Sequence, residues 1–292
     1  MEESVLTSVF LPLALAFIML GMGLTLRIDD FRRILIAPKS VLAGLFAQLI
    51  LLPIVGFLLV IAFGLTGALA VGVMIIAACP GGPTSNLVSH LARADLALSI
   101  SLTAISSIVT IISIPLIVNY SIWYFGEEGS VSLPVLQTIV QIMGVTLIPV
   151  AIGMFIRNRR EDFAQKSERP FKIASAVFFV LILLAAILKE RENLIEFLIL
   201  TGPVTLLLNV STMAIGYTLA RWLMLPMRQR LSISIESGIQ NGTLGIMIAA
   251  TLLQNSVMTI PVAIYSLLMF ITVISVIAIG NKVVTSEMMG DS

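Results

Sequence analysis

The chain has 292 residues, 58% of them hydrophobic and only 11% charged, with a mean hydropathy of +1.08. That composition excludes an ordinary soluble domain, and repeated apolar stretches of 18 residues or more read as membrane-spanning helices. The net charge of +1 leaves no general basic face for nucleic acid, and the single cysteine, Cys79, excludes an internal disulfide and a cysteine-built zinc site.

In chain order, nine apolar spans are predicted, at about 6–26, 40–64, 67–92, 96–119, 133–156, 171–188, 198–220, 230–253 and 258–280. The first does not read as a signal peptide: its amino end carries Glu2 and Glu3 rather than basic residues, and no small-residue cleavage pattern follows. The longest connections lie around Asn119 to Ser132 and Arg157 to Pro170, and neither is long enough to be a domain. The expectation is an all-α polytopic membrane protein forming one transmembrane domain over 1–292. It would be embedded in the cell (plasma or inner) membrane, with the lipid bilayer as its partner.

Orientation follows from the basic residues. Numbering the loops alternately from the amino terminus, one set holds fifteen Lys and Arg and the other holds only Lys189 and Arg191, which accounts for all 17. Basic loops stay cytoplasmic. The amino terminus is therefore expected outside and the carboxyl terminus inside. Trp123 and Tyr124 then fall at the outer interface and Trp222 at the inner one, where aromatic side chains anchor helices. Asn119-Tyr120-Ser121 fits a glycosylation sequon on the outer side. His90, the only histidine, falls beside Arg93 and Asp95 at a membrane edge, where an interfacial role outweighs a proton relay.

Two spans are abnormal. The third carries Cys79-Pro80-Gly81-Gly82-Pro83-Thr84-Ser85-Asn86, and the eighth carries Glu236-Ser237-Gly238-Ile239-Gln240-Asn241-Gly242. Two prolines and two glycines within the third cannot continue a helix, and two glycines among polar residues mark the eighth, so a break is predicted in each. Each break falls in the next-to-last span of its half of the chain, and the intervening span count makes the two broken helices run in opposite directions. That is the pattern of an inverted repeat, whose paired breaks mark a site near mid-membrane. A lone proline such as Pro53, Pro149 or Pro261 reads instead as a packing kink.

Glu236 is the sharpest signal. It is the one charged residue between Leu231 and Val257, with no Lys or Arg within five residues on either side. A carboxylate at bilayer depth costs several kcal/mol unless paired, and a cation that comes and goes would supply the partner. Broken helices add to this: carbonyls at the end of the first half carry partial negative charge and amides at the start of the second carry partial positive charge. Carbonyls near Cys79 and from Ser237 to Ile239 suit sodium, a hard ion that takes oxygen ligands. Amides near Ser85 and Asn86, and from Asn241 through Gly242 to Thr243, suit an anion. Further oxygens are offered by Gln48, Ser85, Asn86, Gln240, Ser99 and Thr103, the last two sharing one helix face at four-residue spacing. The plainer reading of Ser99 and Thr103 is a hydroxyl bonding the carbonyl four residues back, and that of Gln48 is a hydrogen bond between helices. If two sodium ions bind beside one carboxylate, the remaining single positive charge matches a monovalent anion.

These motifs, Cys79-Pro80-Gly81-Gly82-x-x-Ser85-Asn86, Glu236-x-Gly238-x-Gln240-Asn241 and Gly21-Met22-Gly23-Leu24, resemble those of the bile acid:sodium symporter family across essentially the whole chain. The resemblance implies two crossing broken helices within a core domain, about 40–119 and 198–280, set against a panel of about 6–26 and 133–188. It implies one sodium site at Ser85, Asn86, Ser99, Thr103 and Glu236. A second would use Gln48, Glu236 and Gln240 with backbone oxygens of Ser237 and Ile239. Substrate would lie near Pro83, Thr84 and Asn241. Bacterial members of the family often have ten helices. With nine predicted here, the first is expected to be lacking and the arrangement to resemble the mammalian one.

Sodium-coupled symport of an organic anion, a bile-salt-like molecule or a small carboxylate, is thus the expected function. Efflux of arsenite or another oxyanion in a related fold is an alternative in which Cys79 would be a soft ligand. A non-transporting sensor is another. An intramembrane enzyme is not supported, because the spans hold no pair of acids and no Ser/His dyad.

Overall fold

The computed structural model describes residues 6–127 and 132–290. A π-helical turn, Leu6–Phe10, leads into α1 (Leu11–Gly23). Two short helices, α2 (Ile28–Phe31) and α3 (Arg33–Ile36), follow. Then α4 (Pro38–Phe46) continues through a second π-turn, Ala47–Leu51, into α5 (Leu52–Ala62). The third segment is α6 (Gly67–Ala78) and α7 (Pro83–Leu91), and the fourth is the single long helix α8 (Leu96–Phe125). Next come α9 (Val135–Val145) with α10 (Leu147–Arg159), then α11 (Glu161–Lys189) and α12 (Leu194–Trp222). The eighth segment is α13 (Met227–Gly238) and α14 (Gly242–Met247), closed by a π-turn, Ile248–Leu252, and α15 (Thr259–Gly290) is the ninth.

Six of these rods are long and apolar enough to cross a bilayer. The shorter apolar helices Ser8–Gly23, Gly67–Ala78 and Gly242–Leu252 account for the remaining segments. Among the described residues, the segments follow the predicted order. The protein is a multi-pass, all-helical membrane protein, and its surface is inverted relative to a soluble one. Leu13, Ile152, Leu188 and Ile271 stand exposed, while Gln48, Asn209 and Glu236 are buried.

Segment limits differ from the hydropathy reading. The connection expected over Arg157 to Pro170 is helical: α10 runs to Arg159, and α11 starts at Glu161 and passes through Pro170. Hydropathy finds where a helix leaves hydrocarbon and not where its backbone hydrogen bonds stop. For the same reason α8 extends to Phe125. The sequon at Asn119 therefore sits inside a helix rather than a loop. Asn119 also uses its side chain on Leu133, donating to the carbonyl at 2.8 Å and accepting from the amide at 2.7 Å.

Close helix approach depends on small residues. A Cβ on Gly23 would overlap the Val150 carbonyl, and one on Gly153 would lie 2.5 Å from the Leu20 carbonyl oxygen. This contact is backbone against backbone, so no side chain can yield. Arg27 pairs with Glu161 at 2.5 Å and Arg157 donates to the Leu24 carbonyl at 3.2 Å, tying the end of α1 to α10 and α11. Gly153→Ala is expected to lower stability by about 1–3 kcal/mol through overpacking. Gly144→Ala, whose Cβ would meet nothing within 4 Å, is expected to cause no such loss. Thermal unfolding of the two purified variants checks this.

The two breaks meet at the centre. Pro80 has no amide hydrogen, so α6 cannot propagate past Cys79, and α7 restarts with Pro83 in its first turn. Ile239 and Asn241 leave the helical region between α13 and α14. Gly81 and Gln240 form an antiparallel bridge, and the Asn241 amide donates to the Pro80 carbonyl at 2.8 Å. The crossing of two oppositely directed broken helices is thereby held by backbone pairing, which satisfies groups that would otherwise be orphaned in the interior.

Candidate functional site

Glu236, near the end of α13, is fully buried beside this crossing. Among the described residues no basic side chain pairs with it. Its partners are hydroxyls from two other segments. Ser85 on α7 donates at 2.6 Å, Ser99 on α8 at 2.5 Å, and Thr103, one turn further along α8, lies 3.0 Å from both carboxylate oxygens.

The donor count is short. Asn86 Oδ1 lies 3.0 Å from the Ser99 hydroxyl and 3.3 Å from that of Thr103. The Ser85 and Thr103 hydroxyls also have backbone acceptors, the carbonyls of Gly82 at 2.7 Å and Ser99 at 3.0 Å. The second of these is the plain four-back bond expected of a membrane helix, and it coexists with the contacts to Glu236. Ser85, Asn86, Ser99, Thr103 and Glu236 thus bring six side-chain oxygens together, yet each hydroxyl has one proton to give. Lone pairs outnumber protons around a negative charge, and a cation fits that donor set.

A second group of oxygens lies on the other side of the Glu236 backbone. Gln48 belongs to the π-turn between α4 and α5, where the irregular helix shifts the side-chain register. Its Nε2 donates to the Glu236 carbonyl at 3.1 Å. Gln240 donates to the carbonyls of Glu236 at 3.2 Å and Ser237 at 3.0 Å. With both amide nitrogens so used, Gln48 Oε1 and Gln240 Oε1 are buried and have no hydrogen-bond partner among the described residues. Buried acceptors are rarely left so, and two of them beside helix-end carbonyls also fit a cation with oxygen ligands. The Ser237 hydroxyl takes no part, since it donates to the Ile233 carbonyl at 2.8 Å. Ile239 is buried in the extended stretch that follows.

The residues expected near an anion are less uniform. Pro83 and Thr84 are half-buried at the start of α7, whereas Asn241, Gly242 and Thr243 are buried. Several of the amides expected to be free are already used. The Asn241 amide goes to Pro80, that of Gly242 to the Gln240 carbonyl at 3.0 Å, and that of Ser85 to the Gly82 carbonyl at 3.0 Å. Asn241 Oδ1 caps α14 by accepting from the Leu244 amide at 3.1 Å. A break that folds onto its neighbour consumes the dipoles that an isolated helix end would expose.

Asn209 on α12 and Tyr265 on α15 escaped the sequence reading. Both are fully buried, and both donate to the Gly238 carbonyl. The available signal was an amide and a phenol in the middle of apolar spans. Next to the site, a largely apolar crevice lies between α1, α8 and α10. Met19, Met22, Ile108, Val150 and Met154 line it, with Ala104 immediately after Thr103. His90 is exposed at the end of α7, and Cys79 is buried in the apolar core. Among the described residues, no three of His, Cys, Asp or Glu gather to hold a metal ion.

Residues 12–197 match the model of the sodium bile acid symporter family. The chain is 31% identical over 261 residues to the uncharacterized sodium-dependent transporter YocS of Bacillus subtilis (strain 168), covering 89% of this chain and 79% of that protein. It is 30% identical over 256 residues to the probable sodium/metabolite cotransporter BASS1, chloroplastic, of Arabidopsis thaliana, covering 86% of this chain but only 62% of that protein. It is also 29% identical over 243 residues to the ileal sodium/bile acid cotransporter of Homo sapiens, covering 82% of this chain and 68% of that protein. The family match ends before Glu236, but a match over 89% of the chain must include it.

Proposed function

The chain belongs to the sodium bile acid symporter family, and from that premise we propose that it carries an organic anion across the membrane together with sodium. One observation carries the reading: a fully buried carboxylate with no basic partner among the described residues, ringed by oxygens that hold more lone pairs than protons. One sodium ion would be held by Ser85, Asn86, Ser99, Thr103 and Glu236. A second would be held by Gln48, Glu236 and Gln240 with the carbonyls of Ser237 and Ile239. Both are cargo rather than resident metal. With one carboxylate shared between them, a monovalent anion completes the charge balance near Pro83, Thr84, Asn241, Gly242 and Thr243. The names of the relatives, which join sodium to bile acid or to metabolite, support the class and leave the particular anion open.

Transport would proceed by alternating access, with a core of about 40–119 and 198–280 moving against a panel of about 6–26 and 133–188. The helix α14 packs on α1 and α11, while among the described residues α7 makes no comparable contact with them. With the amino terminus outside, α14 belongs to the outer half of its span and the crevice between α1, α8 and α10 to the inner half. The arrangement then corresponds to an inward-facing state. Sodium would order the two breaks and so complete the anion site.

The test is thermal stability of the purified protein, with sodium titrated against potassium at constant ionic strength. A ligand that binds the native state raises stability, by about 2.7 kcal/mol at a hundredfold excess over its dissociation constant. Sodium is expected to do so and potassium is not. Asn86→Ala and Gln240→Ala are each expected to remove one part of a two-site response and to keep the other. No sodium effect in the wild type would defeat the reading, and would put oxyanion efflux or proton coupling through Glu236 in its place.

A further inference from the structure

The carbonyl of Gly238, the last residue of α13, is held by two donors from two other helices. Asn209 Nδ2 donates at 2.6 Å and the Tyr265 hydroxyl at 2.7 Å, and Asn209 Nδ2 also lies 3.3 Å from the Tyr265 oxygen. The three groups form a closed ring in which both side chains are fully buried. Gly238 packs so closely on α12 that a Cβ there would overlap Met213 Cγ. We propose that Asn209 and Tyr265 are positioning residues that set sodium affinity by fixing the peptide groups of this break. The inference rests on the sodium-coupled reading above and deepens it.

Two observations carry it. The backbone becomes extended at Ile239, with φ −107° and ψ 99°. Successive groups of extended chain face opposite ways. Anchoring the Gly238 carbonyl toward α12 and α15 therefore turns the following carbonyl, that of Ile239, away from those two helices. The arrangement is also matched across the two halves of the chain. Gln48 comes from the second segment and holds the Glu236 carbonyl at 3.1 Å, while Asn209 comes from the seventh and holds the Gly238 carbonyl. One broken helix is thus gripped from both halves, with the Ser237 carbonyl between the two grips and that of Ile239 one residue beyond them, and these are the carbonyls proposed to face the ion.

The experiment uses the full-length purified protein, melted over a series of sodium chloride concentrations with potassium chloride keeping ionic strength constant. Wild type, Tyr265→Phe, Asn209→Leu and Glu236→Gln are compared. Tyr265→Phe removes one donor and almost no volume. It is expected to raise the half-saturating sodium concentration about fivefold to tenfold, alongside a modest fall in melting temperature in both salts from the lost buried hydrogen bond. Asn209→Leu is expected to shift it further. If Asn209→Leu does not fold, Tyr265→Phe alone decides. A purely structural role would lower melting equally in both salts and leave half-saturation unchanged, and that result overturns the proposal. A wild-type sodium response that Glu236→Gln abolishes and Tyr265→Phe leaves untouched removes the clamp alone. A wild type indifferent to sodium removes the coupling reading and the clamp with it.

Discussion

Glu236→Gln is expected to abolish stabilisation by sodium, and with it sodium-driven uptake, while leaving the protein at least as stable as wild type in potassium. The opposite signs in the two salts follow from burial. The wild-type carboxylate is fully buried and has hydroxyl donors but, among the described residues, no positive partner. Without a cation it pays the desolvation of an unpaired charge, which a neutral amide of nearly the same shape does not. With a cation the comparison reverses, since removing one member of a buried ion pair costs about 3–5 kcal/mol, or roughly two to three and a half powers of ten in affinity. Because the same residue joins both proposed sites, neither should survive. Melting curves in sodium and in potassium measure both signs at once, and a variant that keeps the wild-type sodium response would defeat the assignment.

Gly81→Ala is expected to remove the sodium response and to cost about 1–3 kcal/mol of stability in either salt. Gly82→Ala, one residue on, is expected to do neither. A Cβ on Gly81 would overlap Glu236 Oε2 and lie 3.2 Å from Gln48 Nε2. Gly81 cannot retreat, because its backbone is bridged to Gln240. A Cβ on Gly82 would meet Asn241 at 3.6 Å, an ordinary contact, and its φ of −132° with ψ of 179° is open to any residue. The first glycine therefore provides room for the carboxylate, and the second is replaceable. Parallel melts of the two variants in sodium and potassium decide. Equal behaviour would mean that the break tolerates a methyl group beside Glu236 and that the crossing is looser than its hydrogen bonds imply.

Much of this was legible in the chain itself, because the relevant signals are local. Apolar run length marked the segments. The pairing of Pro80 with Pro83, and of Gly238 with Gly242, marked the two breaks. A charge at position 236 amid apolar neighbours marked the acid, whose cost in hydrocarbon does not depend on the fold. Tertiary structure decided what depends on groups far apart in sequence. Gln48 meets the Glu236 carbonyl across 188 positions, and the Asn241 amide meets Pro80 across the crossing. That second bond closes one of the amides that the isolated break would have offered to an anion. Spacing also could not tell Gly81 from Gly82, or single out Asn209 and Tyr265 from other polar residues in membrane helices. The choice in each case lies in which atom sits a few ångströms away on another helix, and a linear pattern holds no distance of that kind.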